Sequence, residues 1–237
     1  MKKLFLTLTA LLVITTAFAQ KTKIVMETDL GKIVIVLYDN TPLHRDNMIK
    51  LAGEHFFDSL LFHRVIPQFM IQGGDPQSKH ATAGMMLGNG EHGERIPAEF
   101  NDTDFHKRGV LAMARDNNPQ KASSGCQFYI VTGKKMTDDE LNSIENNIGR
   151  KYTPAQREAY KTMGGTPFLD GNYTVFGEVI EGMDIVDKIS MAERDQYDRP
   201  KKDIRMISVR VLGSKGSKAS AKHETKKKKH KKFLGIF

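Results

Sequence analysis

Cysteine is almost absent from this chain of 237 residues, which contains only Cys126. A single thiol excludes an intramolecular disulfide and any metal site built from cysteines. Cys126 follows Ser124-Gly125 at the start of an apolar run, so we interpret it as a small buried residue rather than a nucleophile. The fold must therefore be stabilised by its hydrophobic core, and the length is sufficient for one sizeable domain.

Long apolar runs are also missing, apart from one at the start of the chain. Residues 1–19 combine two lysines, an apolar centre and the pattern Ala17-Phe18-Ala19, which predicts a secretory signal peptide rather than a buried N-terminal helix. The apolar centre is shorter than the roughly 20 residues that a membrane span needs. We therefore expect a soluble, exported protein. The lysine pair, the cleavage pattern and the lack of disulfides favour a bacterial periplasm, with release from the cell as the alternative.

Net positive charge is missing from most of the chain, although the total is +8. Nine lysines and one glutamate lie within residues 214–237, so the rest of the sequence sums to zero. This Lys-rich tail is predicted to be disordered. Either it is simply solvated, or it binds an anionic envelope surface. Binding to nucleic acid is not expected of an exported protein.

Signatures of cofactor and hydrolase chemistry are missing as well. Residues 88–93 match the pattern G-x-G-x-x-G, but no predicted strand precedes them and Pro97 interrupts the next segment, so we reject a dinucleotide site. The eight histidines do not show metal-ligand spacing. No serine lies in a nucleophile elbow. We expect neither a metal nor another cofactor.

The chain does contain many short apolar runs separated by turns and glycines. The turn Asp29-Leu30-Gly31 indicates a pair of strands, and Thr41 as N-cap with Pro42 as the first helical residue predicts a helix that ends at Gly53. The predicted strands cover 23–28, 32–38, 109–114, 127–131, 173–179 and 204–212, with a short helix at 182–190. This pattern favours an antiparallel barrel.

A charged segment with helical character, residues 134–166, interrupts the series of strands. Thr137 is followed by three acidic residues, which is the pattern of a helix N-terminus, and Thr153-Pro154 starts a second helix. We therefore predict a helical hairpin inserted between two strands of the barrel.

The stretch FHRVIPQFMIQGGD at 62–75 places polar side chains inside a run that otherwise has the composition of a buried strand. Alternation puts Arg64 on the face of Phe62 and Ile66, opposite His63 and Val65, until Pro67 breaks the register. From the residues alone, two interpretations stay open. Arg64, Met70 and Gln72 form a functional surface, or Arg64 is in a structural ion pair and Gln72 is a satisfied core amide.

This stretch resembles a motif of the cyclophilin family of peptidyl-prolyl cis–trans isomerases. Four further blocks resemble the family in the same order: GVLAMA at 109–114, SGCQFY at 124–129, LDGNYTVFG at 169–177 and GMDIV at 182–186. The resemblance implies a mainly β fold over 22–213. It is an eight-stranded antiparallel closed β-barrel capped by two α-helices, to which the hairpin at 134–166 is an addition.

The resemblance also implies the site residues. Arg64 matches the catalytic arginine, Gln72 would hold it in position, and Phe69 and His63 lie beside it. His63 is expected to act through a supporting hydrogen bond or packing rather than as a general acid. The matching substrate-binding positions are Met70, Thr82, Ala114, Arg115, Gln127, Phe128, Tyr129, Phe168, Leu169 and Tyr173.

Four of these positions depart from the family pattern. Tyr129 replaces a usual phenylalanine of the proline pocket, and Tyr173 replaces a histidine. Arg115 stands where an asparagine is common and adds a charge beside the peptide. Phe168 stands where human-type members carry a tryptophan that donates its N–H to the inhibitor cyclosporin, so weak cyclosporin binding is expected.

The resemblance implies an isomerase that accelerates rotation about X–Pro bonds in unfolded or proline-containing polypeptides, during the folding of exported proteins. It would work without a covalent intermediate, a metal or a cofactor, and as a monomer. A different class, a proline-peptide binding module or holdase with little turnover, stays open because of Arg115, Tyr129 and the insert. Arg64 together with an intact apolar pocket favours the enzyme.

Overall fold

The computed structural model describes residues 21–212, so the predicted signal peptide at 1–19 and the Lys-rich tail at 214–237 lie outside the described residues. The strands are β1 (Lys23–Thr28), β2 (Gly31–Leu37), β3 (Phe62–Ile66), β4 (Met70–Gly73), β5 (Val110–Met113), β6 (Phe128–Val131), β7 (Val175–Glu181) and β8 (Met206–Val211). The helices are α1 (Pro42–Gly53), α2 (Asp138–Ile148), α3 (Pro154–Thr162) and α4 (Met183–Ser190), with short 3₁₀ segments at Pro76–His80 and Pro167–Leu169.

All eight strands belong to one curled sheet with the order β3-β4-β6-β5-β7-β2-β1-β8, and every recorded pairing is antiparallel. The mainly β, antiparallel prediction is confirmed. The closed barrel with a two-helix cap is not confirmed, because β3 and β8 are the two ends of the strand order and four helices are present within residues 21–212. These two ends approach each other at a single bridge between Leu61 and Arg205.

The reason that β3 lacks a full strand partner on this side lies in the segment before β8. The backbone N–H of Phe62 donates to the carbonyl of Ile204 at 2.9 Å, and that of Val65 donates to the carbonyl of Asp198 at 2.8 Å. The irregular segment at 195–204 therefore satisfies the backbone groups that β8 would pair in a closed barrel.

The inner face of the curled sheet carries the main hydrophobic core. Alternating residues of β1 and β2, such as Ile24, Met26 and Ile33, are fully buried there. Phe128 of β6 contacts Phe57 edge to face, with ring centroids 5.6 Å apart. The helices α1 and α4 pack against strands of this sheet. None of the helices within residues 21–212 is long and apolar enough to cross a membrane.

The start of α1 differs in one detail from the prediction. Pro42 is at the first helical turn, but the Thr41 side chain makes no capping hydrogen bond. The carboxylate of Glu99 replaces it by accepting hydrogen bonds from the backbone N–H groups of Leu43 and His44, each at 3.0 Å. A carboxylate at this position satisfies two orphan donors and interacts favourably with the helix dipole. It is distant in sequence, so no local pattern indicates it.

The predicted helical hairpin lies between β6 and β7. Thr137 with Glu140 and Thr153 with Gln156 form complete capping boxes at the starts of α2 and α3. The two helices are joined by the buried carboxylate of Glu145, which pairs with Arg157 of α3 at 2.9 Å. At its base, Gly165 bridges to Lys107 before β5 and to Lys134 after β6, and these bridges attach the hairpin to the sheet.

Candidate active site

An irregularity in β3 decides which way its side chains point. The pairing of β3 with β4 shifts register between Phe62 and Arg64, so one extra residue is accommodated there. Phe62 and Val65 both point into the core, while the side chain of Arg64 is 43% exposed. The simple alternation that grouped Phe62 with Arg64 was therefore wrong, because a bulge changes the period of two.

Arg64 opens onto a pocket of about 300 Å³ on the outer side of the sheet. Ten of the fourteen predicted site residues line it: His63, Arg64, Phe69, Met70, Gln72, Ala114, Arg115, Tyr129, Leu169 and Tyr173. Met70, Tyr129 and neighbouring apolar residues form a hydrophobic cluster of their own beneath it, separate from the main core. The pocket therefore combines an apolar floor with the cationic side chains of Arg64 and Arg115.

Phe128 and Phe168, two of the remaining four residues, do not line the pocket. Phe128 precedes Tyr129 in β6, and neighbouring side chains of a strand point to opposite faces. Phe128 is therefore fully buried in the main core, and the prediction that it lines the groove is wrong. Phe168 does not line the pocket either; it is 46% exposed and stacks on Phe69, with ring centroids 5.8 Å apart.

The other two, Thr82 and Gln127, do not line the pocket. Thr82 is exposed, and its carbonyl oxygen accepts a hydrogen bond from Arg199 at 3.0 Å. Gln127 is buried, and its amide nitrogen donates to the carbonyls of Gly88 and Gly90 at 3.0 and 2.7 Å. These hydrogen bonds hold the glycine-rich loop, residues 75–93, in place.

No residue of a second wall, which is formed by this loop and by the segment before β8, was named as a site residue from the sequence. Met85, Leu87 and Asn89 come from the loop, whereas Asp195 and Tyr197 come from the later segment. Arg199 joins the two parts, since its buried guanidinium donates to the carbonyls of Thr82 and Met85 and pairs with Asp203. Its contacts with the loop span more than a hundred residues of sequence, so no local pattern could reveal them.

Arg64 has a different neighbour from the predicted one. Gln72 lies opposite Arg64 in the sheet register, but its amide donates to Gln127 at 3.1 Å instead of contacting Arg64. The nearest counter-charge is Asp198, whose carboxylate lies 3.6 Å from Nε of Arg64. The prediction that Gln72 holds Arg64 is therefore corrected: Gln72 connects β4 to Gln127 and so to the glycine-rich loop, and Asp198 is the residue that contacts the guanidinium.

The opposite wall of the pocket is built around Arg115. Its guanidinium lies 4.8 Å from the ring centroid of Tyr173, and its Nε donates to the carbonyl of Asn172 at 2.7 Å. Ala114 uses its own backbone internally, because its N–H donates to Gln127 and its carbonyl accepts from Ser124. Strand-like pairing with a peptide therefore cannot use the N–H of Ala114 without breaking an existing hydrogen bond.

His63 is buried beside Arg64, with 3% of its surface exposed. Neither ring nitrogen has a hydrogen-bond partner among the described residues. Burial, reinforced by the charges of Arg64 and Arg199 and opposed by Asp75, lowers its pKa from 6.5 to about 4. A ring with this pKa is neutral at pH 7, which disfavours a general acid and leaves packing as the role that we expect of His63.

The low pKa of His63 predicts a pH-dependent stability. The unfolded chain binds a proton at His63 near pH 6.5 while the folded chain does so only near pH 4, so the contribution is fully present above pH 6.5 and is lost as the pH falls toward 4. It is worth about 3 kcal/mol in the free energy of unfolding. We expect His63→Gln to lose correspondingly less stability over this range in urea titrations, and the exposed-residue control His80→Gln to behave as wild type. Equal slopes for all three proteins would contradict the assignment.

Three further sequence predictions concern Cys126, metal ligands and the pattern at 88–93. Cys126 is buried, and burial raises the pKa of its thiol to about 11, which disfavours a nucleophile. Within residues 21–212, no group of three or more histidine, cysteine, aspartate or glutamate side chains is arranged to hold a metal ion. Residues 88–93 form a loop without flanking strand or helix.

The fold and the pocket agree with the comparison to known families. A model described as "Cyclophilin type peptidyl-prolyl cis-trans isomerase/CLD" matches residues 23–211, most of the chain. The chain belongs to the cyclophilin family. A relative from Staphylococcus saprophyticus, named as a peptidyl-prolyl cis-trans isomerase, is 34% identical over 80% of this cyclophilin and 91% of its own length. Family and relatives together make this protein an isomerase enzyme.

A second relative is longer. A Streptococcus pyogenes protein named as a bifunctional phosphatase/peptidyl-prolyl cis-trans isomerase is 36% identical over 80% of this cyclophilin, which spans 38% of the relative's length. Two crystal structures of a Cryptosporidium parvum cyclophilin, one obtained in the presence of Ala-Pro, share 20% identity with TM-scores of 0.62 and 0.61. They cover 82% and 81% of this chain and 99% of theirs, which shows a shared fold.

Proposed function

We propose that this cyclophilin accelerates X–Pro isomerisation by using Arg64 to stabilise the twisted amide. Resonance in a planar amide sets a barrier of roughly 20 kcal/mol to rotation. Rotation breaks the resonance and leaves a lone pair on the proline nitrogen. A donor aimed at that nitrogen stabilises the twisted state and not the planar state, and only such differential binding raises the rate.

The observation that carries this proposal is the position of Arg64 at the mouth of an apolar pocket. The guanidinium is permanently charged and presents several donors in a rigid fork. Phe69, Met70, Tyr129 and Leu169 supply apolar surface for the proline ring directly beside it. The pocket would hold the ring while the preceding residue rotates, and the chemistry needs no proton transfer, in keeping with the neutral state of His63.

The surroundings of Arg64 support the same role. Asp198 contacts Nε, on the inner side of the guanidinium, and no ion pair of the other guanidinium nitrogens exists among the described residues. Those nitrogens therefore remain available to a substrate. Gln72 and Gln127 would act indirectly, because their hydrogen bonds connect the pocket floor to the glycine-rich loop.

The partners we propose are unfolded or proline-containing polypeptides, with Arg115 favouring acidic residues beside the prolyl bond. We also propose weak cyclosporin binding. Phe168 has no N–H to donate, and it stacks on Phe69 outside the pocket. A cyclosporin affinity equal to that of a tryptophan-containing member would contradict this part of the proposal.

The test of the function is turnover. Residues 20–237 are assayed on a short X–Pro peptide with protease-coupled detection, and peptide binding is measured on the same preparation. We expect turnover well above the uncatalysed rate. Peptide binding without turnover, in a protein folded by circular dichroism, would instead support the binding-module or holdase function.

We further propose that the protein is exported, resides in the periplasm and assists the folding of exported proteins as a monomer. The pattern of residues 1–19 supports this location. The lysines of 214–237 would localise it to an anionic envelope surface. Unchanged envelope retention and unchanged salt-dependent liposome binding after deletion of 214–237 would refute the role of the tail.

A further inference from the structure

A chain of buried hydrogen bonds connects the proline pocket to the helical insert. The hydroxyl of Tyr129, on the pocket floor, lies 2.9 Å from Nε2 of His106. Nδ1 of His106 lies 2.6 Å from Oδ1 of Asp170, and the other carboxylate oxygen accepts from the hydroxyl of Tyr160 at 2.5 Å. All four residues are at most 4% exposed.

The direction of each hydrogen bond follows from the chemistry of the groups. Oδ1 of Asp170 also accepts from the backbone N–H of His106 at 2.8 Å, so it acts only as an acceptor. In a neutral imidazole Nδ1 would then carry the proton, and Nε2 would be left to accept from Tyr129. Burial raises the pKa of Tyr129 well above its ordinary value, so its hydroxyl keeps the proton that it donates.

The end of the hydrogen-bond series that is distant from the pocket is Tyr160, and the insert holds this residue in place. Tyr160 belongs to α3 and is fully buried against Phe105 and Tyr152, with ring centroids 5.3 Å away in both cases. The backbone of His106 is also constrained, by contacts with Gly165 and Thr166. The N–H of Thr166 donates to the carbonyl of His106, and a Cβ on Gly165 would lie 2.3 Å from the same oxygen. The buried Tyr160 and the constrained backbone at 165–166 thus fix one end of the series of hydrogen bonds, and Tyr129 lies at the other end.

We propose that Tyr160, Asp170 and His106 are positioning residues that orient the Tyr129 ring, and that the insert is in this way a working part of the proline pocket. A phenylalanine at position 129 would have no polar atom for His106 to contact. The hydroxyl of Tyr129 therefore holds the Tyr129 ring in one orientation. Tyr160 of α3 in turn holds that hydroxyl in place through Asp170 and His106. This inference rests on the proposed function, because the pocket is assigned there as the proline site.

Tyr160→Phe is the variant that tests it. The change removes one hydroxyl that does not line the pocket and keeps the aromatic packing of α3. We expect the KM for an X–Pro peptide, and its Kd, to rise about fivefold, with kcat within twofold because Arg64 is untouched. Tyr129→Phe, which breaks the hydrogen-bond chain at its other end, should give the same split between KM and kcat.

Glu145→Gln is the matched control. It weakens the buried pairing of α2 with α3 and leaves the hydrogen-bond chain intact, so it reports the effect of loosening the insert alone. We expect its KM to stay within twofold of wild type. An equal rise of KM in Glu145→Gln and Tyr160→Phe, an unchanged KM in Tyr160→Phe, or a loss confined to kcat would each overturn the proposal.

A spectroscopic readout keeps the inference separate from the activity. The ¹⁵N shifts of the His106 ring should report a protonated Nδ1 and a hydrogen-bonded Nε2 in the wild type, and Tyr129→Phe should remove the Nε2 hydrogen bond. If the wild type shows no turnover, the proposed function fails, while peptide Kd and these shifts still test the hydrogen-bond chain. Turnover with the opposite tautomer would overturn the inference and leave the function standing.

Discussion

Arg64→Ala should lower kcat/KM for an X–Pro peptide by about a hundredfold. Such a loss corresponds to roughly 2.7 kcal/mol of transition-state stabilisation, which is the size expected for one charged donor that acts on the rotating amide and not on the planar one. The free energy of unfolding should change little, because the Arg64 side chain is 43% exposed and its contact with Asp198 is a surface ion pair. Protease-coupled kinetics and urea denaturation measure the two quantities.

Two further variants make this result specific. Arg64→Lys keeps the charge but not the rigid fork of donors, so we expect an intermediate loss. Arg45→Ala removes an arginine from the surface of α1, where it pairs with Asp39 and Asp46 away from the pocket, and should leave kcat/KM unchanged. If Arg64→Ala retains wild-type kcat/KM, stabilisation by this arginine is refuted, whatever the origin of the turnover.

Phe128→Ala should lower the free energy of unfolding by about 3–5 kcal/mol, the usual cost of truncating a buried core aromatic residue. Phe128 is fully buried in the main core, where it contacts Phe57 and lies close to Gly73. Truncation loses the apolar contacts of the ring and leaves a cavity that this packing cannot readily fill. Chemical denaturation monitored by circular dichroism measures the loss.

Phe168→Ala is the matched control, since it truncates the same side chain at a position that is 46% exposed. Its stability should change by less than about 1 kcal/mol, as for most surface substitutions. Both residues were predicted to bind substrate. Comparing the two variants therefore distinguishes the core residue Phe128 from the surface residue Phe168. If Phe128→Ala unfolds at the wild-type urea concentration but weakens peptide binding, Phe128 belongs to the groove after all.

Local patterns predicted those parts of the molecule that depend on residues close in sequence. The hairpin was predicted from Thr137 with its acidic first turn and from Thr153-Pro154, and the structure shows a capping box within four residues at each of these helix starts. The turn Asp29-Leu30-Gly31 likewise indicated β1 and β2, and Gly31 has a φ of 140°. Where the partner was remote, the same reasoning failed: Thr41 was the local candidate for the cap of α1, but Glu99 supplies it.

The candidate site, too, was predicted only in part from the sequence. The motif residues on β3, β4 and β6 line the pocket because strand pairing brings Arg64, Gln72 and Tyr129 side by side. The motif did not reveal which face each side chain takes, since one bulge in β3 separated Phe62 from Arg64, and the alternation of β6 separated Phe128 from Tyr129. Resemblance identifies a position, but not the direction of its side chain.

The family, the order of the strands along the chain and most of the residues that line the pocket could be predicted from the amino-acid sequence, because these depend on short motifs and on hydrophobic periodicity. Three contacts emerge only in the folded molecule: Asp198 with Arg64, Arg199 with two remote segments, and Tyr160 of the insert with Tyr129 through Asp170 and His106. Each of them joins side chains whose positions are fixed by different elements. Their partners are selected by packing in three dimensions, which no spacing along the chain encodes.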